Sequence, residues 1–341
     1  MRTKTIISLL AFALATAVLS SCMKDIDYDV AKDGTKMVLN AQWYTTDTLH
    51  YVYLCRSTAA HVTDVEEDLV VSCFVNGVPA EMPDDSWVVE SAIGDPKLFM
   101  SRCYPVKATI KAGDEIVLKA DSDSCHISAK VTVPPPPEVT VDTSSVYIVD
   151  AEYRDRIYDF TVHLKDNPGE NNYYRAFSLQ GVSNEYRRKS DTVPHETRYY
   201  YVALDESDPV FKSIPVQLPG SMEEKSSNPA HVFSDELFQG GEYIFRFSME
   251  DHPLILSGRT GCERYVPEVY IRMASISWDT YLYCLSSNAM DMAGFGSLSE
   301  PAIIHENVEG GMGNFSVYSV TEHHIYLHGW EFDLYNQNTN L

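Results

Sequence analysis

From residue 36 the chain alternates apolar and polar residues in short runs broken by turn residues. MVLNAQWY, LHYVYLCR, LVVSCFV, SWVVESAI, LFMSRCY, EIVLKA and HISAKVTV each read as a β-strand that buries one face. Asn76-Gly77, between CFV and VPAEM, predicts a hairpin, because both residues accept the positive φ of a two-residue connection. Lys111-Ala112-Gly113-Asp114 leads tightly into the next strand.

Seven short strands within about 100 residues predict a mainly β fold opening with an immunoglobulin-like or transthyretin-like sandwich, over residues 36–134. The four prolines at 134–137 then end that unit, since proline lacks a ladder donor and holds the chain extended. Strands recur beyond them with longer insertions: SVYIVDAEY, RIYDFTVHL, NYYRAFSLQ, RYYYVAL, EYIFRFSM and PEVYIRMAS. In EYIFRFSM, Tyr243, Phe245 and Phe247 share one face while Arg246 and Ser248 share the other. One segment departs from this pattern. SWDTYLYCLSSNAM sets Trp278, Tyr281, Leu282, Leu285 and Ala289 at helical spacing, with Ser277 as N-cap. It predicts an amphipathic helix near residues 277–289 in a larger β-rich domain over residues 138–331; another strand is the competing reading.

The longest apolar run, IISLLAFALATAVL at 6–19, follows Arg2 and Lys4. It has the layout of a secretory signal and is too short for a stable membrane span. It ends in Leu19-Ser20-Ser21-Cys22, which resembles the lipobox of bacterial lipoproteins. Residues 1–21 would then be a lipoprotein signal, with Cys22 as the lipid attachment site, acylated on its thiol and on its new amine. Several acyl chains hold a protein firmly, at ~0.8 kcal/mol per buried CH₂. Residues 22–35 read as a tether. Within it, Met23-Lys24-Asp25-Ile26-Asp27 is similar to the lysine-plus-acid signals that send Bacteroidota lipoproteins to the cell surface, although Ile26 interrupts the acids.

Composition narrows the partners. The 341 residues carry a formal charge of −23, and loss of Arg2 and Lys4 with the signal takes this to about −25. Such a surface repels nucleic acid and anionic headgroups, so no nucleic-acid partner is expected. No second long apolar run follows the signal, which leaves the acyl anchor as the expected membrane element. Besides Cys22 there are Cys55, Cys73, Cys103, Cys125, Cys262 and Cys284. An even number in an exported chain permits disulfides, but Cys55 and Cys73 lie inside apolar strands where cysteine serves as a small core residue.

Candidate chemistry is sparse. Glu322, His324 and His328 would share one strand face and His323 the other. A rise of ~3.3 Å per residue separates His324 from His328 by about 13 Å. One metal with bonds of about 2 Å cannot take both without a bend. Asp121-Ser122-Asp123-Ser124 begins like a calcium loop but lacks the downstream glycine and glutamate. Asp64, Glu66, Glu67 and Asp68 read as a solvated loop. There is no G-x-S-x-G elbow or phosphate loop, and His195-Glu196 and His305-Glu306 lack the second histidine of H-E-x-x-H. Asn171-Asn172-Tyr173-Tyr174 could offer rings to a sugar or peptide, although alternation alone would bury one tyrosine and expose the other. Gly310-Gly311-Met312-Gly313 reads as a tight loop with a role in shape. No catalytic residue, metal site or cofactor is assigned, and the chain is not expected to be an enzyme.

The motif at Cys22, the early sandwich, the proline link, LKDNPGENNYYR (164–175), VFSDELFQGGEY (232–243), the helix near Trp278 and FGSLSEPAIIHENVEGGMGNF (295–315) occur together in one order. In this the chain resembles the Bacteroidota lipoprotein family known as domain of unknown function 4249. The resemblance implies no reaction. It implies an outer-membrane, lipid-anchored binding or accessory protein that partners a TonB-dependent nutrient receptor. A surface adhesin or matrix protein is the alternative, and a hydrolase with a dispersed site the second.

Overall fold

The structure is a computed structural model that describes residues 36–57, 62–63, 69–83, 86–90, 100–123, 125–149, 154–177, 179–202, 208–212, 228–251, 264–293, 303–327 and 330–331. It is mainly β. The first half contains β1 (Lys36–Tyr44), β2 (Leu49–Ser57), β3 (Val62–Thr63), β4 (Val70–Val75), β5 (Val78–Pro79), β6 (Trp87–Glu90), β7 (Met100–Lys107), β8 (Glu115–Asp121) and β9 (His126–Thr132). All seven expected strands of this half are present. Asn76 (φ 52°) and Gly77 (φ 77°) turn β4 into β5 as the sequence predicts. β1, β2, β7 and β6 lie in one sheet and β9, β8, β4 and β5 in another. Strict alternation lets Leu39, Trp43, Val52 and Leu54 of the first meet Cys73, Ile116, Leu118 and Ile127 of the second in one core.

The second half contains β10 (Glu138–Val149), β11 (Arg154–Lys165), β12 (Tyr173–Ala176), β13 (Leu179–Tyr186), β14 (Glu196–Val202), β15 (Val232–Ser234), β16 (Glu242–Asp251), β17 (Arg264–Ile276), β18 (Val308–Glu309), β19 (Met312–Tyr326) and β20 (Trp330–Glu331), with helices α1 (Pro209–Lys212) and α2 (Trp278–Ala293). β10, β11 and β16 form a three-stranded sheet. Its Phe160, Val162, Leu164 and Phe245 share a second core with Val269, Ile271 and Met273 of β17 and Phe233 of β15.

The two halves are joined by β19. Its residues 312–318 pair in parallel with β1, and 319–326 pair antiparallel with β17. A single sheet therefore runs β14-β13-β17-β19-β1-β2-β7-β6 through the molecule. Residues 36–134 supply most of the first sandwich, and β18 and β19 add to it from the far end of the chain. The first core changes to the second at the prolines, but Val308, Phe315 and Val317 complete the first core from the far end of the chain. The glycine loop makes this connection possible. β18 pairs with β9 in one sheet of the sandwich, while β19 pairs with β1 in the other. Gly310 (φ 76°) carries the crossing, and a Cβ there would stand 2.3 Å from the main-chain oxygen of His126.

Helix α2 starts where the sequence places it. Ser277 Oγ accepts the Thr280 N–H at 3.2 Å, satisfying one of the first-turn donors that helix geometry leaves open. Tyr281, Cys284 and Leu285 are buried against Val232, Ala274, Ile276 and Tyr318, forming a third, smaller core on the outer face of the long sheet. Trp278 instead stays 40% exposed at the helix start. Cys55, Cys73, Cys103 and Cys284 are buried and Cys125 half-buried, and all five are free thiols. Burial pushes the Cys73 thiol up to about 12. Cys262 lies outside the described residues. No helix among the described residues is long and apolar enough to cross a membrane.

Candidate functional site

The outward faces of β1, β2 and β19 carry polar and aromatic side chains in register. Asn40 of β1 stands opposite Tyr53 of β2 on one side and Asn314 of β19 on the other. Gln42 pairs with Ser316, and Tyr44 with Tyr318. Trp43 and Phe315 point to the other face, where their rings meet edge to face at 5.1 Å in the sandwich core. Helix α2 walls this strip through Tyr283. The result is a cleft of about 320 Å³ lined by Asn40, Ala41, Gln42, Tyr51, Tyr53, Tyr283, Asn314, Ser316 and Tyr318.

No lining side chain is a carboxylate, an imidazole or an ammonium group. The polar groups are amides and hydroxyls, several held in place by one another. Asn314 Nδ2 donates to Ser316 Oγ at 3.0 Å, and Asn40 Oδ1 accepts the Asn314 main-chain N–H at 3.2 Å. Arg175 lies outside the lining. It donates from Nη1 to the Tyr318 hydroxyl at 3.2 Å and from Nε to the Ala230 carbonyl at 3.1 Å. Burial raises the Tyr318 hydroxyl well above the phenol range, against the lowering effect of that guanidinium. Tyr53 is 37% exposed. Next to it, Tyr51 meets the ring of Trp87 edge to face at 5.8 Å, which extends the aromatic surface toward β6. Its lining contains neither a nucleophile paired with a base nor a set of metal ligands.

A second depression of about 320 Å³ flanks the start of α2 and is lined by Asn171, Tyr173, Ser234, Asp235, Glu236, Gln239 and Trp278. Here alternation divides the tyrosine pair. Tyr174 is buried and donates its hydroxyl to Asp166, whereas Tyr173 packs outward between Trp278 (4.9 Å) and Tyr281 (5.0 Å). Asp235 accepts the main-chain N–H of Asn172 at 2.8 Å, so this carboxylate ties two loops together. Burial pushes its carboxyl group up.

The other sequence candidates are placed apart from both depressions. Glu322 is paired with Arg272, His323 lies 2.9 Å from the Val139 carbonyl, and His324 sits 2.9 Å from Glu268 while stacking on Tyr270 at 4.2 Å. His328 lies outside the described residues, as do Cys22 and Asp64, Glu66, Glu67 and Asp68. Asp121 faces His126 at 2.9 Å across the β8–β9 turn. His305 is engaged by Asp279 at 2.9 Å, which fixes the segment before β18 onto α2. His195 precedes β14 and Glu196 opens it, standing directly opposite Glu185 of β13. The cleft residues were missed in the sequence. The available signal was the period-two placing of Asn40 with Gln42, Tyr51 with Tyr53, and Asn314 with Ser316.

A family model described as Domain of unknown function (DUF4249) matches residues 23–324, and the chain belongs to that family. No curated protein matches the chain.

Proposed function

We propose that this DUF4249 member is a lipid-anchored, non-enzymatic binding protein of the bacterial outer membrane, working as an accessory to a TonB-dependent nutrient receptor. The uncharged cleft of amides and phenols carries the reading. Tyrosine faces supply broad contact area, and flanking amides both donate and accept, which suits a neutral, hydroxyl-rich ligand such as an oligosaccharide. The chain's strong negative charge disfavours anionic ligands and nucleic acid. Leu19-Ser20-Ser21-Cys22 supports the anchor, and the receptor partner follows from the family resemblance. A tether of polar residues behind Cys22 would keep the protein at high effective concentration near its membrane neighbours, so a weak contact would be occupied.

The test combines anchor, partner and cleft. Tagged full-length protein is purified from native membranes in mild detergent, with Cys22→Ala and Tyr53→Ala beside it. An alkyne fatty acid should label the parent and not Cys22→Ala, and an outer-membrane receptor should co-purify with the parent. Neutral oligosaccharides should bind the purified protein saturably and bind Tyr53→Ala at least several-fold more weakly. Recovery of no receptor, under conditions where a known receptor–lipoprotein pair survives, would favour the adhesin instead.

A further inference from the structure

We infer that Glu185, His195 and Glu196 form a binding site for a divalent transition-metal cation of the zinc class at the edge hairpin of the long sheet. One oxygen of each carboxylate and a ring nitrogen of His195 lie within 4.8 Å of one another. The arrangement follows from strand pairing. Glu185 of β13 is directly opposite Glu196 of β14, so both side chains leave the same face of the sheet. His195 is the residue before Glu196, where the connecting loop re-enters the strand. The pair His195-Glu196 looked incomplete in the sequence because its third member lies ten residues earlier, across a hairpin.

Glu185 points to a ligand. It is fully buried, and neither carboxylate oxygen has a hydrogen-bond partner. The Arg198 guanidinium approaches Oε1 only at 3.5 Å through Nη2, while its Nε donates to Glu196 at 2.9 Å. A buried carboxylate without hydrogen bonds is costly, and two carboxylates directly opposite on one face repel. Arg198 offsets part of the repulsion, and a metal ion between the carboxylates would offset more of it while giving the Glu185 oxygens the close contacts that the guanidinium does not. The histidine ring is also held through one nitrogen. Its Nδ1 lies 2.9 Å from the main-chain oxygen of Glu185, a bond in which the ring N–H donates, so the neutral ring keeps its lone pair on Nε2. Metal-binding histidines are usually held this way through their other nitrogen.

The donor set selects the metal. One imidazole with two carboxylates suits zinc and its first-row neighbours, while calcium and magnesium favour all-oxygen shells. Bonds of about 2.0–2.2 Å require the ligand atoms to close from their present spacing, which rotation of the part-exposed Glu196 allows. Three protein ligands leave at least one position for water. The bound ion would staple β13 to β14, the edge strand of the sheet.

The experiment titrates the metal-free mature protein with Zn²⁺ by calorimetry and with Co²⁺ by visible absorption, in parent, Glu185→Gln, His195→Ala and Glu196→Gln. The expected result is saturable Zn²⁺ uptake at one ion per chain, not displaced by excess Mg²⁺. Loss of an outer-shell partner alone costs about 10–100-fold, so each ligand variant should bind at least that much more weakly. Glu185→Gln carries a risk of misfolding. His195→Ala and Glu196→Gln change part-exposed side chains, and their thermal transitions are recorded alongside. Absence of saturable uptake up to about 1 mM, where binding free energy falls to about 4 kcal/mol, overturns the inference. Uptake unchanged in both His195→Ala and Glu196→Gln overturns it equally, since the ion then sits elsewhere.

Discussion

Gly313 of β19 lies directly beside Leu39 of β1, and a Cβ at Gly313 would stand 2.1 Å from the Leu39 carbonyl oxygen. The same glycine has φ 111°, a region that side-chain-bearing residues rarely enter. Space and backbone conformation thus both demand glycine at the parallel seam of the two halves. Gly77 (φ 77°) provides the comparison, because a Cβ there would meet nothing within 4 Å. Gly77→Ala should cost about 1 kcal/mol through backbone strain alone. Gly313→Ala adds a backbone collision and should cost about 3 kcal/mol or more. Urea unfolding of the two variants measures the difference, and equal losses would mean that the seam yields without cost.

The seam also decides what folds alone. Phe315 and Val317 of β19 are completely buried in a core that residues 37–133 and Val308 otherwise build. A fragment ending at residue 134 would leave β1 without its parallel neighbour and the core open on that side. It should show no cooperative thermal transition, whereas the full mature chain should. In the full chain, Phe315→Ala should cost about 3–5 kcal/mol, the range for deleting a large aromatic side chain from a packed interior. A sharp transition in the isolated fragment would show that the first sheet closes without β19.

Local patterning made most strands legible. MVLNAQWY buries every second residue because one face of β1 lies on the core, and period-two alternation records that directly. Asn76-Gly77 and Ser277 were readable because turn and cap chemistry acts over two to four residues. The pairing of β1 with β19 was not readable, since nothing local encodes a parallel neighbour about 270 residues away. Gly310-Gly311-Met312-Gly313 reads as a tight loop, yet Met312 and Gly313 already belong to β19, for the same reason: Gly313 answers the Leu39 backbone, which is remote in sequence. The cleft was lost with that pairing. Asn40 and Asn314 become neighbours only when β19 closes the sheet. Glu185 and His195-Glu196 stayed separate in the sequence because their meeting depends on the register of one hairpin.

Acid should destabilise the protein through His50. This ring is buried, stacked on Trp43 at 4.5 Å, with Nε2–H donating to the Ala108 carbonyl at 3.1 Å. Burial lowers its pKa below the ordinary 6.5, and this outweighs the opposing pull of the Ala108 carbonyl and of Asp47. The folded state therefore holds the ring neutral where the unfolded chain already takes up a proton. The stability contributed by the neutral ring is complete above about pH 6.5 and falls as pH drops from there toward the folded value. His50→Gln retains an amide donor for Ala108 but does not titrate. Its stability at pH 7.5 should be lower than that of the parent, through the lost stacking. The gap between the two should narrow as pH falls toward 5.5, because only the parent loses the His50 contribution. Urea midpoints for both proteins across this range provide the measurement, and groups common to both cancel in the difference. A gap that widens on acidification would mean that the folded protein favours the charged ring, with the local carbonyl and carboxylate prevailing over burial.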